Sequence, residues 1–129
     1  MSERPPALDA WHRVALSRDP AGLDDLLDER CVFRSPAVHT PQEGKALTTA
    51  YLSAALVVLG PTLAYRHEWW DGESAVLEFT AELDGLTVHG IDMLRWGADD
   101  RLTEFTVMVR PYKGLTALME RMLAELTPS

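Results

Sequence analysis

Residues 74–96 read SAVLEFTAELDGLTVHGIDMLRW and carry the strongest structural signal of the chain. On both sides of Asp84-Gly85, apolar and polar side chains alternate, which is the period of a strand with one buried face. Asp-Gly favours a two-residue hairpin turn, because both central residues of that turn need a positive φ angle. The sequence therefore predicts two antiparallel strands, 74–83 and 86–96, that meet at a tight turn.

The period of two continues on either side of this hairpin. Residues 63–70 and 101–109 read as two further strands, and Asp71-Gly72 and residues 97–100 read as the connecting turns. Four successive strands with short turns predict an antiparallel meander. A short strand at 31–34 precedes them along the chain.

Apolar residues at helical spacing occupy most of the remaining chain. A first helix precedes Asp19, which caps a short second helix with Leu23, Leu26 and Leu27 as its buried face. The second helix is therefore predicted to end no earlier than Leu27.

The third helix has two possible starts. Thr40 and Glu43 fit a capping box, and Gly44 offers a later start; in both cases the helix ends at Gly60-Pro61. A last helix follows Pro111.

Long twisted strands curl, and helices then cover the concave side. The sequence predicts an α+β fold, a curved antiparallel sheet wrapped around amino-terminal helices into a cone, as one domain over residues 1–129.

Composition excludes several classes of partner. Twenty acidic residues against twelve basic ones give a net charge of −8, which disfavours nucleic acid because binding it needs a positive surface. No apolar run approaches the roughly 20 residues that cross a membrane, and the first residues, MSERPP, do not resemble a secretion signal. One cysteine, Cys31, and four scattered histidines predict no disulfide, metal or cofactor. We expect a cytoplasmic protein.

Two segments carry a resemblance to a known family. The first is Val32-Phe33-Arg34-Ser35-Pro36, followed by Gly44 at the start of a helix that contains Tyr51. The second is GIDMLRW at 90–96, followed by RLTEF at 101–105 and MVRP at 108–111. With the element order, they resemble the nuclear transport factor 2-like superfamily in its SnoaL-like branch. That superfamily includes ketosteroid isomerases and small polyketide cyclases.

The resemblance implies an apolar pocket at the wide end of the cone and a homodimer through the outer face of the sheet. It also locates three positions that are functional in ketosteroid isomerases. The position of the catalytic base is Ser35, that of the helical tyrosine is Trp11, and that of the protonated aspartic acid is Asp92. A serine without a base of its own does not remove a proton from carbon, so isomerisation by that mechanism is not predicted.

Asp92 is the most informative single residue. Alternation places it on one face of its strand with apolar neighbours, where a carboxyl group is costly unless it is paired or protonated. One hypothesis is an acid with a raised pKa that donates to a ligand oxygen, the role that such an aspartic acid has in ketosteroid isomerase, a known example. The other is a structural acid paired with an arginine or a backbone amide.

His39 and His89 are the candidate bases, because imidazole titrates near neutral pH. His39 follows Ser35-Pro36, at the expected pocket rim, and is the preferred catalytic partner of Asp92. Alternation places His89 on the opposite face of the strand from Asp92, unless a bulge near Gly90 reverses its direction. For both histidines, a surface or interface role is the alternative.

The pocket walls are predicted to include four aromatic side chains and one hydroxyl. These are Trp11, Phe33, Tyr51, Trp96 and Ser35. Core and dimer packing is the alternative explanation for the aromatic residues. The leading hypothesis is a protein that binds a small apolar ligand, with isomerase- or cyclase-type proton transfer on an apolar carbonyl compound. The alternative is a non-catalytic module for dimerisation or protein association.

Overall fold

The computed structural model of the chain describes residues 3–127. The first two and last two residues of the predicted domain 1–129 lie outside the described residues. The described helices and strands follow this order: α1 (Pro6–Ser17), α2 (Leu23–Leu26), β1 (Leu27–Arg34), β2 (Gln42–Glu43), α3 (Lys45–Leu59), β3 (Ala64–Trp70), β4 (Ser74–Leu83), β5 (Leu86–Trp96), β6 (Leu102–Arg110) and α4 (Tyr112–Leu126). A short 3₁₀ turn, Pro20–Gly22, precedes α2.

The strands form one curved, unclosed sheet in the order β2-β1-β6-β5-β4-β3. The predicted α+β fold, with helices against a curved sheet, is confirmed, and β3 to β6 form the predicted antiparallel meander. One pairing differs from the predicted antiparallel sheet, since β1 pairs with β6 in parallel. The chain leaves β1, passes through α3 and returns at the opposite edge, and periodicity carries no information about such a distant partner.

The central hairpin forms as the Asp-Gly dipeptide predicts. Asp84 and Gly85 have φ angles of 52° and 80°, and β4 pairs with β5 without interruption from Ser74–Arg95 to Leu83–Leu86. The other Asp-Gly turn is different. Asp71 accepts backbone hydrogen bonds from Glu73 and Ser74, so the loop is held by a carboxylate and not by positive φ angles.

The second helix is shorter than predicted, and the strand predicted at 31–34 begins earlier, at Leu27. Leu27 is not in the second helix, because α2 is only one turn long and Leu27 already pairs with Leu102 in the sheet. The third helix takes the later of its two starts, with Gly44 as its cap at a φ angle of 101° that favours glycine. Of the alternative capping box, Glu43 instead lies in β2, where it pairs with Val32 of β1, and Thr40 lies in the loop before β2.

Buried side chains on the inner face of the sheet form two clusters. The α1 cluster joins α1, α2 and β1 to one end of the sheet, and its inner-face members include Leu77, Leu94 and Phe105. The α4 cluster joins α3 and α4 to the other end and includes Phe79 and Val88. The carboxy-terminal helix therefore covers the concave side together with the amino-terminal ones. Within residues 3–127, no helix combines the length and apolar character needed to cross a membrane.

Candidate functional site

A cavity of about 350 Å³ lies between the α1 cluster and the α4 cluster. Its walls are mostly aliphatic and aromatic side chains from the inner face of the sheet, from α1, α3 and α4, and from the loop after β1. The lining residues used below are Trp11, Phe33, Ser35, Tyr51, Ala55, Tyr65, Phe79, Asp92, Phe105 and Glu120. A volume of this size falls in the range of small-molecule sites in proteins.

Four residues that the sequence proposed for a pocket lie in this lining: Trp11, Phe33, Ser35 and Tyr51. The rings of Phe33 and Tyr51 stack with their centroids 5.3 Å apart, and Trp11 meets Phe105 edge-on at 4.7 Å. These contacts fix the aromatic wall, because each ring packs against another ring of the same wall. Ser35 contributes a hydroxyl, so this position of the wall carries no carboxylate.

Asp92 lies in the middle of β5, where the two clusters meet, and is 6% exposed. Val88 on one side belongs to the α4 cluster and Leu94 on the other belongs to the α1 cluster. Burial raises the pKa of the Asp92 carboxyl to about 7, and a hydrogen bond from Tyr65 opposes part of that increase. Within residues 3–127, no arginine or backbone amide pairs with this carboxyl, and its partner is the phenol of Tyr65.

Tyr65 connects Asp92 to α1. The indole Nε1 of Trp11 donates to the Tyr65 hydroxyl oxygen at 2.9 Å, and the Tyr65 hydroxyl donates to Asp92 Oδ2 at 2.5 Å. Burial and the adjacent carboxyl raise the pKa of Tyr65 well above its ordinary value, so this phenol stays neutral. Tyr65 was not among the site residues predicted from the sequence. Its signal was available, since alternation in the first strand of the meander places it on the inner face.

The pairing of β3 with β4 contains a register shift between Tyr65 and His67. Arg66 is the extra residue, so the inner face of β3 continues with Glu68 and Trp70. Trp70 packs against the α1 cluster, and His67 lies on the outer face, where it contacts Glu78. Strict alternation would have turned His67 inward.

A group of ionisable side chains packs against the ring of Tyr65. His12 of α1 packs edge-on against the Tyr65 ring with centroids 5.3 Å apart, and its Nε2 is 2.9 Å from Glu68 Oε1. Arg4 also pairs with Glu68 and, with His12, lowers the pKa of that carboxyl. These pairs hold the start of the chain against β3 and complete the environment of the phenol.

The other proposed residues lie elsewhere. Trp96 is buried in the α1 cluster beyond Leu94, and its indole donates to the carbonyl of Gly72, so it packs against a turn and does not line the cavity. His39 is exposed on the loop after β1 and is not in the lining, so the structure does not bring it against Asp92.

His89 lies on the outer face of the sheet, as alternation predicted. Its Nε2 is 2.8 Å from Glu78 Oε2, and the pairing of β5 with β4 is regular through Gly90, so no bulge turns the ring inward. Over the described part of the chain, no group of three histidine, cysteine, aspartate or glutamate side chains is arranged to hold a metal ion.

A curved, unclosed sheet with helices on its concave side is the fold of cystatin-like, nuclear transport factor 2-like α+β proteins, and in this chain that sheet carries a buried acid in an apolar hollow. The family profile described as the SnoaL-like domain matches residues 8–105, which is most of the chain. The chain belongs to the SnoaL-like family.

Solved structures agree with this assignment. A steroid delta-isomerase from Pseudomonas aeruginosa is 41% identical, with 93% of this chain and 88% of that chain covered and a TM-score of 0.88. An uncharacterised bacterial protein with a cystatin-like fold from Silicibacter pomeroyi is 26% identical, with 92% and 84% covered and a TM-score of 0.86. A protein assigned to the SnoaL-like polyketide cyclases in Jannaschia sp. CCS1 is 10% identical, with 92% and 97% covered and a TM-score of 0.69, and shows the fold alone. No curated protein matches the chain.

Proposed function

We propose that this protein binds a small apolar carbonyl compound between its two clusters and transfers a proton with Asp92. The observation that carries the proposal is the carboxyl of Asp92, 6% exposed, in the wall of a 350 Å³ apolar cavity, with a neutral phenol as its partner. Buried acids without a cation nearby are costly, and proteins keep them mainly at functional sites.

The acid–base state of Asp92 suits proton transfer near neutral pH. With a pKa of about 7, both the protonated and the ionised form are populated there, so one group is able to give and to take a proton. Protonated Asp92 would donate to a carbonyl oxygen, and ionised Asp92 would remove a proton from an adjacent carbon or hydroxyl. His39, the base expected from the sequence, would need the loop after β1 to move before it could take part.

The chemical class of the ligand follows from the walls and from the relatives. Aromatic side chains along one wall favour a flat ligand, and the relative from Pseudomonas aeruginosa is a steroid delta-isomerase. Ser35 replaces the carboxylate base of ketosteroid isomerases, so we propose isomerase- or cyclase-type chemistry that uses Asp92 alone. No metal or cofactor is part of this proposal.

The cytoplasm, where an unpaired Cys31 thiol is stable, is the proposed compartment.

Filling the cavity is expected to abolish ligand binding. Ala55 of α3 lines the cavity, so the indole of Ala55→Trp would occupy ligand space. The probe is 2-acetylnaphthalene, a flat apolar ketone, measured by isothermal titration calorimetry. We expect a Kd on the order of 10–100 μM for the natural protein and at least about tenfold weaker binding for the variant.

Ala50→Trp is the matched control, because Ala50 is exposed on the same helix and outside the lining. Ala50→Trp should bind the ketone like the natural protein. A milder variant, Ala55→Leu, keeps the test valid if the tryptophan prevents folding. Absence of ketone binding to the natural protein, or full binding to folded Ala55→Trp, would refute the cavity as a ligand site.

The second candidate function is association through the outer face of the sheet. Ile91 and Met108 lie directly opposite each other on that face, beside Met93, and Met108 is 52% exposed. Glu78 and Arg110 on the same face carry opposite charges and both contact His89, so this surface has groups of both signs, as a self-complementary interface requires. We propose a homodimer through this surface, which is compatible with a ligand in the cavity on the opposite face.

A charge on this face is expected to separate the copies. Met108→Glu should convert a dimer to a monomer at about 50 μM in size-exclusion chromatography with light scattering, because two buried, unpaired carboxylates destabilise an interface. Leu16→Glu, at an 87% exposed position of α1 outside the sheet, should remain dimeric. A natural protein that is monomeric at 50 μM, or a Met108→Glu variant that stays dimeric, contradicts the proposed interface.

A further inference from the structure

We propose that Tyr65 is a positioning residue which holds one oxygen of Asp92 and leaves the other as a hydrogen-bond acceptor, so that the cavity prefers apolar enols and phenols. The inference rests on the proposed ligand cavity and adds to it the functional group that Asp92 recognises. An enol is the hydroxyl tautomer of the carbonyl compounds proposed above, so the two statements describe the same site.

The direction of the hydrogen-bond chain follows from the donors. An indole nitrogen only donates, so the 2.9 Å bond from Trp11 makes the Tyr65 oxygen an acceptor. A phenol has a single hydrogen, and the remaining 2.5 Å bond commits it to Asp92 Oδ2. The chain therefore runs from Trp11 through Tyr65 to Asp92 and is not reversible while Trp11 occupies its position.

The second oxygen of Asp92 is open to the cavity. Within residues 3–127, Asp92 Oδ1 receives no hydrogen bond, and no fully buried side-chain oxygen or nitrogen there lacks a partner. Oδ1 must therefore remain accessible, and Asp92 is part of the cavity wall. An accessible carboxylate oxygen inside apolar walls is satisfied by a ligand that supplies a hydroxyl, and leaving it unsatisfied costs binding energy.

Among residues 3–127, Tyr65 is the only group that donates a hydrogen bond to Asp92. From α1, Trp11 donates to Tyr65, and His12 packs edge-on against the Tyr65 ring and pairs with Glu68 of β3. The lining also contains the phenol of Tyr51 from α3 and, at the exposed mouth, the carboxylate of Glu120 from α4. No lysine or arginine lines the cavity among residues 3–127.

Removal of the Tyr65 hydroxyl is expected to change which ligand binds. In Tyr65→Phe the carboxyl loses its donor, so its pKa rises and Asp92 is protonated over a wider pH range. A protonated Asp92 donates to a ligand oxygen and no longer requires a ligand hydroxyl. The preference for hydroxyl ligands should therefore weaken at pH 8 and appear only at higher pH.

The test compares two matched probes, 2-naphthol and 2-methoxynaphthalene, by fluorescence titration between pH 6 and pH 9.5. At pH 8 the natural protein should bind 2-naphthol at least about tenfold more tightly than the methyl ether. Tyr65→Phe should reduce that ratio to about threefold or less and move the pH at which the preference appears upward by about one unit or more. Tyr112→Phe, at an exposed tyrosine outside the cavity, should leave the ratio unchanged.

The outcomes separate this inference from the proposed function. If both probes bind and Tyr65→Phe keeps the natural ratio and pH profile, the positioning role of Tyr65 is refuted and the ligand cavity stands. A natural protein that binds the methyl ether as tightly as 2-naphthol at pH 8 refutes the acceptor role of Asp92. If neither probe binds, the proposed function fails and this inference fails with it. If Tyr65→Phe does not fold, Trp11→Phe is the second variant. It frees the Tyr65 oxygen from its acceptor role, so the direction of the chain is no longer fixed and the ratio should fall; an unchanged ratio refutes the positioning role.

Discussion

Asp92→Asn is expected to increase the free energy of unfolding at pH 8 by up to about 4 kcal/mol while removing proton transfer. The buried carboxyl has a pKa of about 7 against an ordinary value of 3.8. At pH 8 the natural protein therefore keeps an ionised group in an apolar site, at a cost that a neutral amide of the same shape avoids. Residues kept for chemistry commonly reduce stability in this way.

The raised pKa of Asp92 determines how the free energy of unfolding changes with pH. Because the pKa of Asp92 is higher in the folded chain, the folded state binds a proton that the unfolded state has released between about pH 4 and pH 7. The contribution of Asp92 to stability is therefore complete below about pH 4, falls as the pH rises and is lost above about pH 7. Asp92→Asn should match the natural protein at pH 4 and exceed it increasingly up to pH 8.

Urea unfolding followed by circular dichroism at pH 4, 6 and 8 measures this difference, and subtraction of the two proteins removes the contribution of the other titrating groups. Asp25→Asn, at an exposed position, is the control and should stay within about 0.5 kcal/mol of the natural protein. Equal stability of Asp92→Asn and the natural protein at pH 8 would show that Asp92 does not carry the cost of a buried charge.

Gly90→Ala is expected to destabilise the fold by about 3 kcal/mol or more. A Cβ atom at this position of β5 would lie 2.3 Å from the carbonyl oxygen of Met108 and 2.8 Å from the ring of Phe79. The carbonyl belongs to the paired backbone of β6 and is unable to move without loss of sheet hydrogen bonds. Phe79 crosses over Gly90 to form part of the cavity wall, so the displaced ring should also reduce ligand binding.

Thermal and urea unfolding measure the loss, with Gly72→Ala as the matched control. A Cβ atom at Gly72 meets nothing within 4 Å, and Gly72 does not have a positive φ angle, so this variant should stay within about 0.5 kcal/mol of the natural protein. If Gly90→Ala is as stable as Gly72→Ala, the close approach of Phe79 and Met108 to Gly90 is not what shapes this part of the wall.

Part of the site could be predicted from the sequence, because it depends only on residues that are close together along one strand. Alternation in residues 86–96 was sufficient to place Asp92 on the inner face and His89 on the outer one, and the uninterrupted pairing with β4 preserves that alternation. The same rule applied to β3 fails after Tyr65, because the extra residue Arg66 reverses every later side chain. A bulge of this kind depends on the partner strand and leaves no distinct pattern in the chain itself.

Local sequence determined most of the elements, their order and the inward direction of Asp92, because the periods of strands and helices arise from contacts between residues a few positions apart. Tertiary structure alone decided that β1 joins β6 in parallel, that Trp96 packs against a turn, and that Tyr65 supplies the hydrogen bond to the acid. The cavity is also a tertiary feature. It exists because two clusters, built from residues far apart in the chain, pack on one sheet and leave space between them, and the size of that space depends on the packing of all the helices together.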